Sequence, residues 1–188
     1  MSENKSNSFI LLLVSLLMSC TNSPYLSSEF DCDVEKYSKL KVYSDINKNF
    51  RIDIPSNWKT ELYYSDFESE LFSADTTKQL TQTYILDASF NSGRLTLDKE
   101  FYKKNDSVAR LNDLTIINSG NQLFQEKPTY WNILEGSRNG FPYYQFNLMV
   151  KLSRNSYFKG YSEVYGDSAV YDRICKSITI FESIEFLE

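Results

Sequence analysis

The sequence predicts an α+β fold built on an antiparallel β-sheet, and three observations predict it. Stretches with strand periodicity outnumber those with helical periodicity. The two helical stretches come singly, at mid-chain and near the C-terminus, rather than alternating with strands as parallel crossover units would. An Asn139–Gly140 pair stands between two extended runs. That dipeptide is a strong hairpin signal, because both central residues of the tightest turns take positive φ.

The elements follow in order. Phe50, Ile52 and Ile54 alternate with Arg51 and Asp53, which makes a half-buried strand stopped by Pro55. Ser56 and Asn57 turn the chain, and Trp58, expected in the core, restarts an extended run toward Tyr64. A strand over 83–91 places Tyr84, Leu86, Ala88 and Phe90 on one face before Ser92–Gly93 break it. The spacing of Leu97, Phe101, Val108, Leu111 and Thr115 predicts a helix over 97–112, with Asp98 and Glu100 where the helix dipole favours acids. Four strands follow over 115–125, 130–137, 143–152 and 157–165. Ser168 is placed to cap a helix whose face is Val170, Ile174, Ile178 and Phe181, and residues 183–186 form a last short strand or a docking segment.

The N-terminus carries an address. A polar start with Lys5 leads into an apolar run over 9–18 and then L-M-S-C ending at Cys20. This resembles the bacterial lipobox, in which the cysteine is acylated and becomes the mature N-terminus. A non-lipidated signal or a buried N-terminal helix are the alternatives. The run is too short to cross a bilayer as a helix, which needs about 20 residues. The expected organisation is a signal peptide over 1–19, a lipidated linker rich in Ser, Thr and Asn over 20–36, and one domain over 37–188. Residues 21–28 contain no acid, so no surface-export tag is expected. The expected place is the inner leaflet of the outer membrane, facing the periplasm, with the membrane as one partner through the lipid.

Composition excludes much. With no histidine among 188 residues, His-based triads and His-based zinc or haem sites are absent. A net charge of -5, unchanged when the signal removes one Lys and one Glu, argues against nucleic-acid partners. No Gly-rich phosphate loop occurs. Asp66, Glu68 and Glu70 would share a strand face, but a solvated edge or turn explains them better than an acidic dyad. Asp45 to Asn49 reads as a turn rather than a calcium loop, since no glutamate closes it. No catalytic residue, metal or cofactor is expected. Beyond Cys20, Cys32 and Cys175 are either a disulfide or two separate buried thiols. The aromatic pairs in the later strands give one candidate binding patch, Tyr130, Trp131, Tyr143 and Tyr144, in which one ring of each pair is core and the other is either outside or packed under a helix of the sandwich.

The run F-R-I-D-I-P-S-N-W over 50–58, followed by a mid-chain helix, a meander containing G-F-P-Y-Y over 140–144 and a terminal S-I-E-F, resembles the PsbP-like superfamily, which includes bacterial envelope proteins of DcrB type. The resemblance implies an antiparallel sheet of six or seven strands flanked by helices as an α/β/α sandwich. It implies no chemistry. The functional expectation is a non-enzymatic adaptor or assembly factor that binds an envelope protein. A binder of small ligands or glycans is the alternative, and an acidic-dyad hydrolase stands behind it.

Overall fold

A computed structural model describes residues 25–187. Cys20 and the signal sequence lie outside the described residues.

The chain forms two antiparallel sheets. Strands β1 (Leu40–Ser44) and β2 (Phe50–Pro55) join the last strand, β10 (Glu185–Phe186), in a small sheet of order β1-β2-β10. The large sheet holds β3 (Lys59–Tyr64), β4 (Glu68–Ala74), β5 (Ile85–Ser92), β6 (Leu114–Phe124), β7 (Lys127–Arg138), β8 (Phe141–Lys151) and β9 (Ser156–Tyr165) in the order β3-β4-β5-β9-β8-β7-β6. The meander β6–β9 turns at Asn139 and Gly140, with φ of 54° and 81°, as the Asn-Gly signal requires. The fold is α+β with a seven-stranded antiparallel sheet. The opening and closing strands, however, form a separate second sheet.

Because side chains alternate along a strand, the large sheet presents two faces. The first carries the main core. Helix α1 (Leu26–Glu29), helix α3 (Val170–Phe181) and the small sheet press on it, and Leu26, Phe50, Ile52, Ile54, Ile178 and Phe181 are buried there. Leu71, Ala88, Gly160, Leu148, Trp131 and Gly120 stand side by side on adjacent strands of this face. A Cβ on Gly160 would meet the Phe181 ring at 2.6 Å, and one on Gly120 the Trp131 ring at 2.6 Å, so both glycines make room for a ring.

Helix α2 (Lys99–Leu111) covers part of the second face. Asp98 caps it by accepting from the Phe101 N–H. Its packing differs from the spacing argument, since Val108 is exposed and Leu111 is 83% exposed. The helix instead touches the sheet near its ends. Phe101 and Tyr102 lie against Tyr130, and Ala109 packs with Leu114, Leu134, Tyr143 and Tyr165.

Three further expectations are corrected. Within the stretch expected to be linker, packing starts at Leu26, and Phe30 lies 4.5 Å from the Trp131 ring. Apolar residues spaced among Ser and Asp sufficed to dock it. Ser168 does not cap α3 through its side chain. Ala169, with φ of 47°, precedes the helix, and Ser168 instead offers its carbonyl to Arg173. Buried Arg173 donates to the carbonyls of Thr81, Thr83, Tyr165, Gly166 and Ser168, which ties the segment before β5 to the end of β9. Residues 68–74, not anticipated as a strand, are β4. Glu68 and Glu70 therefore sit on an inner strand, with Asp66 at the exposed hairpin tip.

Candidate functional site

The four aromatics proposed as a patch do not form one. Tyr130, Trp131 and Tyr143 are buried and Tyr144 is half-buried. Trp131 and Tyr144 point to the first face, Tyr130 and Tyr143 to the second. The outer rings of the two pairs pack under the ends of α2, Tyr130 against Phe101 and Tyr102, and Tyr143 with Ala109, so the packed alternative holds for them. Cys32 and Cys175 are joined by a disulfide across 143 residues, with Cα atoms 5.4 Å apart. It clips the N-terminal segment to α3.

Two other surfaces among the described residues are candidates. The first is a partly open cleft of about 350 Å³ between α2 and the second face of the sheet. Because α2 rests on its two ends, the sheet beneath its middle stays uncovered. The floor is polar where a sheet under a helix is ordinarily apolar. Asp87, Tyr161, Asn147 and Asn132 stand in one row across β5, β9, β8 and β7. The amides form a ladder: Gln145 Nε2 donates to Asn147 Oδ1 (2.9 Å), Asn147 Nδ2 to Asn132 Oδ1 (2.8 Å), and Asn132 Nδ2 to the Tyr130 hydroxyl (3.2 Å). At one end Arg138 Nη1 pairs with Glu163 Oε1 at 2.7 Å, and the Tyr143 hydroxyl donates to the same oxygen at 2.8 Å. Burial, and next the Glu163 carboxylate, push the Tyr143 phenol up, so it stays a donor.

Beside the cleft, Asp87 is 1% exposed, and its carboxyl oxygens have no hydrogen-bond partner among the described residues. Burial, reinforced by the Glu70 carboxyl, pushes Asp87 up to about 9, so at neutral pH it is protonated. Burial and then the same Asp87 raise the Tyr161 phenol.

The second surface is the hairpin β3–β4, at the free edge of the large sheet. Tyr63, Tyr64 and Phe67 project into solvent there, Phe67 at 72% exposure, beside the more sheltered Leu62. The tip is ordered: Ser65 Oγ accepts from the Phe67 and Glu68 N–H groups, and the Ser92 N–H donates to the Phe67 carbonyl.

The sequence reading passed over the cleft residues Asn132, Gln145, Asn147, Lys159 and Tyr161. They do leave a signal, as polar residues alternating with apolar or small ones along β8 and β9 and at Asn132 on β7, interrupted by Leu134 and Met149. A solvated face writes the same signal, so only the placement of α2 distinguishes the two.

No family model and no curated protein matches the sequence. Solved structures do match in shape. The solution structure of the cyanobacterial PsbP (CyanoP) of Synechocystis sp. PCC 6803 superposes with a TM-score of 0.57 at 12% identity, covering 83% of this chain and 97% of that one. The PsbP-like fold follows. The Ran-binding protein Mog1p of Saccharomyces cerevisiae superposes with a TM-score of 0.56 at 5% identity, covering 80% and 96%. At such identities the likeness extends to the fold alone.

Proposed function

We propose that this chain is a lipid-anchored lipoprotein of the bacterial envelope, held by acylated Cys20 at the inner leaflet of the outer membrane, whose PsbP-like domain faces the periplasm and binds another envelope protein as an adaptor or assembly factor, without catalysis. The observation that carries the binding reading is the ordered β3–β4 hairpin, which holds Tyr63, Tyr64 and Phe67 in solvent on a free sheet edge. An edge strand offers unpaired backbone groups, and exposed aromatics supply most of the energy in protein interfaces. The L-M-S-C sequence supports the anchor. The solved relative described as Ran-binding supports a protein partner for this fold, though at an identity that transfers no partner.

The test is gentle crosslinking in native membranes followed by purification through a C-terminal tag. Wild type is expected to bring down one stoichiometric envelope protein. The double variant Tyr64→Ser, Phe67→Ser is expected to lose it while melting as wild type does. Retention of the partner by that variant removes the hairpin from the reading, and recovery of the chain alone removes the adaptor.

The polar cleft favours a second reading, a small-ligand or glycan binder. It uses a different face from the hairpin.

A further inference from the structure

We propose that the cleft between α2 and the second sheet face binds a small acidic saccharide, its hydroxyls held by the amides of Asn105, Asn132, Gln145 and Asn147 and its carboxylate by Lys159.

The donor and acceptor inventory leads to hydroxyls. Asn132, Gln145 and Asn147 each spend one of two N–H donors on the ladder, which leaves the second N–H of each for an incoming acceptor. From the helix side, Asn105 donates its Nδ2 to the Phe101 carbonyl, and Asn112 donates to that of Val108. Each therefore keeps its side-chain oxygen as an acceptor on the cleft wall. A floor of donors facing a wall of acceptors matches a group that both donates and accepts, as every sugar hydroxyl does. The floor is also fixed in place, since Asn132 and Asn147 are buried at 3% and 6% exposure within the ladder. Pre-set amides bind without first having to be ordered. A volume of about 350 Å³ lies at the small end of ligand sites, the size of one or two sugar rings.

Charge selects the acidic form. Two cations line the cleft. Arg138 is already paired with Glu163. Lys159 has no carboxylate partner within ion-pair distance among the described residues, and its Nζ sits 5.0 Å from the centre of the Tyr161 ring. Across the strands Lys159 faces Ser89, with Glu70 one strand further in the same row, while Asp87 stands diagonal to it, its carboxyl pushed toward the neutral form by burial and next by Glu70. Glu163, the carboxylate in the cleft lining, lies four residues along β9 from Lys159, roughly 13 Å away, and Glu70 stands two strands off, outside the lining. The ligand's acid group is thereby directed to the Lys159 end and its hydroxyls to the middle of the cleft. None of these residues belongs to the β3–β4 hairpin, so this site and the protein-binding edge stand or fall separately.

The test is calorimetric titration of the full chain in detergent with D-glucuronate, D-galacturonate and N-acetylneuraminate, against D-glucose and D-galactose. Saturable binding of at least one acid is expected, about tenfold or more tighter than its neutral counterpart, the range a charge-assisted hydrogen bond supplies. Lys159→Met should bring acid and neutral sugars to the same weak affinity. Asn147→Leu should abolish binding. Because Asn147 is buried, Asn105→Leu on the helix wall serves as a second variant that leaves the floor intact, and it too should weaken binding. Heat changes that do not saturate for any of the acids overturn the proposal. So does equal binding of acidic and neutral sugars, or undiminished affinity in both Asn variants.

Discussion

At the scale of single residues, Asp87 is a carboxyl held almost wholly out of water, at 1% exposure. It sits in the row under the cleft with no hydrogen-bond partner among the described residues, and burial followed by the Glu70 carboxyl raises it to about 9. The direction fixes the effect on stability. A carboxyl raised above its ordinary value of 3.8 contributes stability that is complete below about pH 4 and is lost as pH climbs toward 9. Across that window folding takes up a proton, so stability should decline with a slope approaching about 1.4 kcal/mol per pH unit. Asp87→Asn keeps the shape and removes the titration. Urea unfolding at several pH values should show the variant gaining on wild type as pH rises, with the two nearest at about pH 4. Parallel curves from acid to alkaline pH would mean that Asp87 is ionised in the folded state.

At the scale of elements, periodicity was informative where an element packs along its whole length. Ile174, Ile178 and Phe181 share the buried face of α3 as their spacing predicts, and the meander β6–β9 turns at Asn139–Gly140 as that dipeptide requires. It misled for α2, where Val108 and Leu111 continue a helical stripe yet face solvent. A helix that spans a cleft on two end contacts needs no continuous apolar face. The N-terminal segment was misread for the opposite reason. Its Ser and Asp content suits a linker, but Leu26 and Phe30 pack in the core and Cys32 is bonded to Cys175. The segment thus acts as a strap over α3. A loop of 143 residues closed by one bond is worth up to about 5 kcal/mol by chain entropy. The double variant Cys32→Ser, Cys175→Ser should therefore unfold at lower denaturant, by about 2–5 kcal/mol, with its spectroscopic signature of strands retained. Equal midpoints for the variant and the oxidised protein would show that packing of Leu26 and Phe30 alone holds the strap.

At the scale of the whole molecule, the fold was legible and the candidate site was not, for one physical reason. Strand periodicity and turn chemistry are local, whereas the cleft exists only because α2, distant in sequence from β8 and β9, comes to rest above them. The same long-range docking changes how an anchored domain would sit. Packing begins at Leu26, six residues after Cys20, so the covalent reach from an acylated Cys20 to the folded core is at most about 20 Å. The α1 pole would be held against the headgroups, with little freedom to search the periplasm. A dye on Glu29→Cys, an exposed position of α1, should transfer energy efficiently to headgroup-labelled lipid in reconstituted vesicles. Inserting about twenty Gly/Ser residues after Cys20 adds roughly 25 Å of root-mean-square reach, and transfer should fall while the melting curve stays unchanged. Cys20→Ser should abolish transfer. If that variant transfers as well as wild type, contact with the bilayer comes from the domain surface and not from a lipid at Cys20.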